Sequence, residues 1–359
     1  MERNAKIYVA GHRGLVGSAI WRCLADRGYT NLVGRTHAAL DLTDSVAVKR
    51  FFDEEQPEYV ILAAAHVGGI MANNTYRADF IYDNLQIQQN VIGEAWRHNV
   101  KKLLMLGSTC IYPRETSQPI REEYLLTGEL EYTNEPYALA KIAGLKLCES
   151  LNLQYGTNFL AVMPTNLYGP NDNFHLENAH VMPAMIRKIF LAQALRNGNW
   201  QAIRADLCQR PINEIDVEAP NAEIKVALAD YGITASVVTL WGSGKPLREF
   251  LWSEDMAEAC IHIMEHVDFA DLKGNGKQVR NCHINIGTGE EISIEALAHL
   301  IAATIGYEGE IRFDTSKPDG TPRKLCDVGK LHRLGWQHRV DIREGIGRLY
   351  QWYINSINA

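Results

Sequence analysis

Three glycines spaced three apart, Gly11, Gly14 and Gly17 in G-H-R-G-L-V-G, follow the apolar run K-I-Y-V-A at 6–10. They open a helical stretch, S-A-I-W-R-C-L-A-D, at 18–26. A buried strand that turns this tightly into a helix is the setting that lifts a glycine pattern above chance. Gly11 permits the turn, Gly14 lets backbone approach a diphosphate, and Gly17 allows helix and strand to pack; the helix N-terminus, with Leu15 and Val16, then faces the phosphates. The plain alternative is a strand–helix turn with no ligand.

The runs at 32–35, 59–65, 103–107 and 159–164 are short and apolar, with helical patterns between them. Continuous apolar runs suit strands buried on both faces, so the chain is expected to be α/β, with a doubly wound parallel (Rossmann) sheet. The expected first domain is 1–170, with segments around 237–262 and 283–290 partly returning to it. A smaller C-terminal α/β substrate domain, 171–359, is expected to carry strands at 237–241, 283–286 and 311–314 and a helix at 294–304. Residues 198–236 are polar, proline-punctuated and partly helical at 224–231, and read as an insertion.

Charge narrows the partners. The 359 residues carry 43 acidic and 36 basic side chains, a net −7, so no nucleic-acid footprint is expected. No apolar run approaches the ~20 residues of a membrane span. The N-terminus runs straight into a strand, unlike a signal peptide. Seven cysteines lack paired spacing and no metal motif occurs. The expectation is a cytoplasmic protein with reduced thiols, no metal and no membrane partner.

The second strand decides the cofactor. An NAD site places an acidic residue near its end, whereas this chain has Arg35, Thr36 and His37, with Arg13 in the glycine turn. Two guanidiniums suit a 2′-phosphate, so NADP is expected. Asp41 with Leu42 is read as an adenine contact or, alternatively, a helix N-cap.

Tyr137 and Lys141 stand four apart and share a helix face, so the ammonium is expected to favour the phenolate and lower the tyrosine pKa. Leu106, Gly107, Ser108 and Cys110 emerge at the C-terminal end of a buried strand, the edge at which open parallel sheets bind ligands. Ser108 is a candidate donor to a substrate carbonyl, or a turn serine. Cys110 is a candidate acid/base, or a small packing residue.

Seven runs then carry a resemblance: G-H-R-G-L-V-G-S-A-I from Gly11, A-A-A-H-V-G-G-I-M-A-N-N-T-Y from Ala63, S-T-C-I-Y-P from Ser108, T-N-E-P-Y-A-L-A-K-I-A-G from Thr133, M-P-T-N-L-Y-G-P-N-D-N-F from Met163, W-G-S-G-K-P-L-R-E-F from Trp241 and S-K-P-D-G-T-P-R-K from Ser316. Together they resemble the GDP-L-fucose synthase family of extended short-chain dehydrogenase/reductases, over almost the whole chain outside 198–236.

The resemblance implies NADPH-dependent 3,5-epimerisation and 4-reduction of GDP-4-keto-6-deoxy-D-mannose by a homodimer, formed through helices including 84–98 and 140–153. It implies that Cys110 and His180 exchange the C3 and C5 protons, and that Tyr137 protonates the C4 oxygen while Ser108 and Lys141 orient and tune. Pro164, Asn166, Leu167 and His180 are expected near the nicotinamide. Lys188, Trp241, Arg248, Asp319 and Lys324 are expected at the GDP-sugar, with bland readings as surface ion pairs or core aromatics. The insertion is the departure from the family pattern, expected near the guanosine end.

Two rivals remain open at this point. A related 4-epimerase or 4,6-dehydratase would carry an NAD preference, or an Asp-Glu pair where Thr109-Cys110 stands. A non-catalytic NADP-sensing module would not need Tyr137 and Lys141.

Overall fold

All four residues of strand β1 (Ile7–Ala10) are buried, because helices cover both faces of the sheet it belongs to. The computed structural model describes residues 1–212, 215, 217–274 and 278–358. The chain forms two units. The first comprises Met1–Leu167, Glu249–Glu290 and Leu325–Arg339, and the second Tyr168–Arg248, Glu291–Lys324 and Val340–Ala359.

After β1 come α1 (Leu15–Asp26), β2 (Leu32–Val33), α2 (Ser45–Glu55), β3 (Tyr59–Leu62), α3 (Ile70–Thr75), α4 (Arg77–Arg97), β4 (Lys102–Leu106), α5 (Glu135–Tyr155) and β5 (Phe159–Pro164). The chain continues through β6 (Asn166–Tyr168) into α6 (Val181–Arg196), α7 (Trp200–Gln209), α8 (Asn221–Asp230), β7 (Val237–Trp241) and β8 (Leu247–Arg248). The first unit resumes with β9 (Phe250–Trp252), α9 (Ser253–His266), α10 (Phe269–Leu272) and β10 (Ile284–Ile286). The second resumes with β11 (Ile292–Ser293), α11 (Ile294–Ile305), β12 (Glu310–Asp314) and β13 (Arg323–Lys324). Helix α12 (Gly329–Arg333) belongs to the first unit and α13 (Ile342–Ile357) to the second.

Six parallel strands form the first unit's sheet in the order β10–β5–β4–β3–β1–β2. This is the doubly wound parallel sheet that the apolar runs predict. Side chains alternate across it, as the two-residue period of a strand requires. Tyr8, Val60, Leu103 and Phe159 enter one core with residues of α2, α4 and α5; Ile7, Ile61, Leu104 and Leu160 enter another with α1 and α9.

One carboxylate ties the first unit's three chain segments together. Glu249 is fully buried. Its Oε1 accepts the backbone N–H of Thr288 at 2.6 Å and Gly289 at 2.7 Å, and its Oε2 that of Cys326 at 3.0 Å. Its backbone carbonyl accepts from the Asn166 side chain at 2.8 Å and from Thr165 Oγ1 at 3.3 Å. Burial pushes this carboxyl upward while the backbone donors pull it back.

The segment boundaries differ from the expected ones. Residues 325–339 lie in the first unit because Ile120 donates to Leu325 and Asp327 back to Ile120, at 2.7 and 2.8 Å. Strand β7 lies in the second unit, paired in parallel with β12.

The second unit absorbs the expected insertion as framework. Arg187 of α6 and Asp206 of α7 form an ion pair with side chains 1% and 0% exposed. Arg187 Nε and Nη2 reach Asp206 Oδ2 at 3.0 and 2.8 Å, and the Tyr353 hydroxyl of α13 donates to Oδ1 at 2.6 Å. Remaining guanidinium hydrogens go to the carbonyls of Phe174 and Arg210. Next to it, Lys188 donates to the carbonyl of Tyr231, at the end of α8, at 2.8 Å.

Removing one partner of a buried pair strands the other charge. Asp206→Ala is therefore expected to lower unfolding stability by about 3–5 kcal/mol, measured by urea denaturation; a loss within ~1 kcal/mol would return α7 to the status of a loosely held insertion.

Candidate active site

The glycine turn has two steric requirements and one vacancy. Gly11 has φ +81°, and a Cβ there would lie 2.9 Å from Ala64 N; a Cβ on Gly17 would lie 2.1 Å from Gly11 O. At Gly14 the nearest neighbour to a Cβ is Gly11 O at 3.5 Å, an ordinary contact. The protein's own packing thus explains Gly11 and Gly17 but not Gly14. Gly14 is also the N-cap of α1 and offers no side chain to its first-turn N–H groups. Bare backbone donors at the positive end of a helix suit a diphosphate.

The basic pair gathers beside this turn. Burial, then the fields of Arg13 and Arg35, push the His12 imidazole below its ordinary pKa. Arg35 pairs with Glu55 and lies 5.5 Å from the Phe51 ring centre. Asp41 Oδ1 accepts from Thr43 N at 2.9 Å and Thr43 Oγ1 at 2.8 Å, so it caps a local turn; the helix N-cap of α2 is Asp44. Leu42 and Val16 pack partly against the two cores.

At the end of β4, Gly107 N donates to Val162 O at 2.7 Å. Ser108 caps a short 3-10 turn, Thr109–Ile111, by accepting from Cys110 N at 3.3 Å. That turn holds Cys110 buried at the edge where β4 stops. Lys141 is buried on α5, donates to Leu106 O at 2.9 Å, and sits 5.5 Å from the Tyr137 ring centre. A negative charge on Cys110 would act on both, raising the tyrosine pKa and the lysine pKa. Ser108, Cys110, Tyr137 and Lys141 therefore converge in the first unit, with Pro164, Asn166 and Leu167 following from β5.

The expected fall in the Tyr137 pKa is corrected by the structure. Burial, with the Cys110 charge second, pushes the phenol up, and burial pushes Lys141 down from 10.5 to about 8. Loss of water around the phenol is the largest cause and the Cys110 charge adds to it, so the spacing of Lys141 does not lower this pKa. A phenol held protonated is the form that donates a proton.

The remaining candidates lie in the second unit. His180 is the N-cap of α6 and half-exposed. Lys188 is buried, bonded to Tyr231, and pushed down to about 8 by desolvation. Trp241 ends β7 with its indole 58% exposed and Lys317 Nζ 5.5 Å from its ring centre. Asp319 accepts from Ser243 N at 2.8 Å and Ser243 Oγ at 2.7 Å. Its charge opposes the desolvation that lowers the Arg248 pKa. Arg248 on β8 is register partner to Lys324 on β13. Two cations on the paired strands β8 and β13, and an exposed indole at the end of β7 in the same unit, are suited to a nucleoside diphosphate.

Sequence reasoning missed three residues that shape these sites. Phe80 is buried with its ring 6.4 Å from that of Tyr137, edge-on at 80°, and stacks on His66 at 4.4 Å. Glu249 anchors Asn166. Asp172 lies 4.0 Å from His180. The N-D-N turn at 171–173 was visible, but nothing in its spacing pointed to a histidine eight residues on.

The comparisons agree on the family. The model of the NAD dependent epimerase/dehydratase family matches residues 7–205 and 223–287. GDP-L-fucose synthase 1 of Arabidopsis thaliana is 49% identical, covering 99% of this chain and 95% of its own. GDP-L-fucose synthase of Escherichia coli K12 is also 49% identical, covering 98% and 97%. Among solved structures, a GDP-mannoheptose C4 reductase from Campylobacter jejuni with NADP bound is 43% identical, with a TM-score of 0.87 over 98% of this chain and 99% of that one.

The Lys141 environment predicts a pH signature in the cofactor-free protein. Its folded pKa of about 8 lies below the ordinary 10.5. The buried cation therefore costs stability in full below pH 8, and the cost fades as pH rises, because the unfolded chain then binds more protons. Lys141→Met should be favoured most at neutral pH, with its advantage over wild type shrinking between about pH 8 and 10.5. Parallel unfolding curves at both ends of that window would contradict the assignment.

Proposed function

Because this chain belongs to the NAD dependent epimerase/dehydratase family, we propose that it converts GDP-4-keto-6-deoxy-D-mannose to GDP-L-fucose by 3,5-epimerisation and NADPH-dependent 4-reduction. The observation that carries the reading is a thiol, Cys110, within electrostatic reach of both Tyr137 and Lys141 at a strand end. Identity of 49% to GDP-L-fucose synthases of two organisms supports the substrate.

NADPH supplies hydride to C4 when bound. Gly14, the uncapped N-terminus of α1, Arg13 and Arg35 suit its diphosphate and 2′-phosphate, and the similar Campylobacter jejuni structure has NADP bound. The protons on C3 and C5 are acidic because each carbon is α to the C4 ketone. Cys110 takes or returns a proton at these carbons, and His180 serves as the partner on the opposite face. Ser108 donates to the carbonyl oxygen and holds the enolate. Tyr137, kept protonated by burial, delivers its proton to the C4 oxygen as reduction occurs. Lys141, fixed by Leu106 O, orients the phenol. Asn166, held by the Glu249 carbonyl, lines the nicotinamide end. Trp241, Arg248, Asp319 and Lys324 hold the GDP moiety, with Lys188 reaching it through exchange of its Tyr231 carbonyl.

Apolar side chains left exposed on α4 (Tyr82, Leu85) and α5 (Leu139, Leu153) support a homodimer formed through these two helices. No helix among the described residues is long and apolar enough to cross a membrane. A second reading has specific support: 43–44% identity to three GDP-heptose enzymes of Campylobacter jejuni. On that reading the C4 ketone of a GDP-linked heptose is the substrate, and the reduction machinery is unchanged.

Cys110→Ser tests the reading. A thiol near pKa ~8.5 carries a usable thiolate fraction near neutrality and a serine hydroxyl does not. Solvent deuterium entry at C3 and C5 should fall severely while NADPH still binds; exchange at the wild-type rate would remove Cys110 from the mechanism. For the cofactor, NADPH should bind at least ~10-fold more tightly than NADH, the scale of one lost charge-assisted phosphate contact. Arg35→Ala should narrow that gap, and equal wild-type affinities would sink the roles of Arg13 and Arg35.

A further inference from the structure

Asp172 is a carboxylate with half of its hydrogen-bonding capacity unaccounted for. Its side chain is 4% exposed. It follows Asn171, whose φ of +65° puts a non-glycine residue in the left-handed region. Oδ1 accepts the backbone N–H of the next residue, Asn173, at 2.8 Å, a purely local bond. Oδ2 is buried and has no partner. A turn explains the first oxygen and leaves the second unexplained, and an unmet buried carboxylate oxygen is costly.

The nearest base is His180. Its Nδ1 lies 4.0 Å from Asp172 Oδ1, just beyond hydrogen-bond length; Oδ1 already accepts Asn173 N–H, so a bond that uses the unpartnered Oδ2 requires the carboxyl to turn toward the ring. His180 begins α6 with an extended backbone (φ −66°, ψ 163°), and its carbonyl accepts Ala184 N at 3.2 Å. The backbone of His180 is thus fixed by the helix, and Asp172 is an acidic group within ion-pair range of its ring.

We propose that Asp172 is a positioning residue for His180, its carboxylate taking the Nδ1–H so that Nε2 is the ring atom presented to the sugar. An imidazole serves as base or acid through one nitrogen only if the other holds its proton in place, and a buried carboxylate on Nδ1 selects that tautomer. Burial pushes the Asp172 carboxyl up to about 7 and the imidazole below its ordinary value. This inference rests on the role given to His180 above.

The test uses full-length protein, NADPH and GDP-4-keto-6-deoxymannose, with Asp172→Asn, Asp172→Glu and His180→Gln compared. Asp172→Asn should slow the His180-dependent part of C3/C5 deuterium exchange on the order of 100-fold, by favouring the wrong tautomer. The KM for GDP-sugar and NADPH binding should stay unchanged, and Asp172→Glu should recover part of the rate. Exchange within about twofold of wild type, or a raised KM with unchanged kcat, would leave Asp172 as a turn former and overturn the proposal. Nitrogen-15 shifts of His180, assigned by their loss in His180→Gln, give a readout independent of turnover. Wild type should show a proton on Nδ1, and a proton on Nε2 would overturn the proposal even if Asp172→Asn fails to fold. If His180→Gln keeps full exchange, the catalytic role of His180 fails, whereas the nitrogen shifts still report on the Asp172 contact.

Discussion

The buried carboxylate of Glu249 is the contact on which the first unit depends. That unit is assembled from three stretches of chain, and one side chain touches the N–H groups of two of them while its own backbone carbonyl holds Asn166 at the end of the first. A carboxylate out of water is tolerable only when each oxygen is met by donors. Here three backbone N–H groups meet it. The arrangement is rigid for the same reason: withdrawing any one donor leaves a charge in a dry interior.

Desolvation also sets the protonation states of the proposed catalytic residues. Burial keeps the Tyr137 phenol protonated and brings Lys141 down to about 8. A reduction that ends with a proton on an oxygen needs a donor, so the tyrosine requires no ready phenolate in the free protein. The second unit uses burial differently. Arg187 and Asp206 sit in a dry interior fully paired, with Tyr353 on the remaining oxygen, and α6 is fixed by that pair at the turn preceding Lys188.

Much of this was readable in the chain. Apolar runs such as L-L-M-L at 103–106 announced strands buried on both faces, and their alternate residues indeed divide between two cores. The glycine turn named its own geometry, because only sterics at Gly11 and Gly17 are at stake. Ser108 and Cys110 were legible as candidates from a strand end, and Tyr137 and Lys141 from a shared helix face, and all four lie in the first unit. The rest was not legible. Glu249, Phe80 and Asp172 act across the fold or across an irregular turn, where no period links a residue to its partner. The 198–236 segment looked detachable because its polar composition concealed Asp206, whose burial is earned only by an arginine on another helix. The pKa of Tyr137 was misjudged because a spacing rule counts the charge beside a phenol and omits the water removed from it.

The central claim is that one chain performs both inversion and reduction, and the identity of the product tests it most directly. Wild-type protein, NADPH and GDP-4-keto-6-deoxy-D-mannose should yield GDP-L-fucose, with one NADPH oxidised per sugar and deuterium from the solvent at both C3 and C5. A GDP-6-deoxy sugar that keeps the D configuration and carries no deuterium at those carbons would contradict it, leaving a C4 reductase without epimerase chemistry.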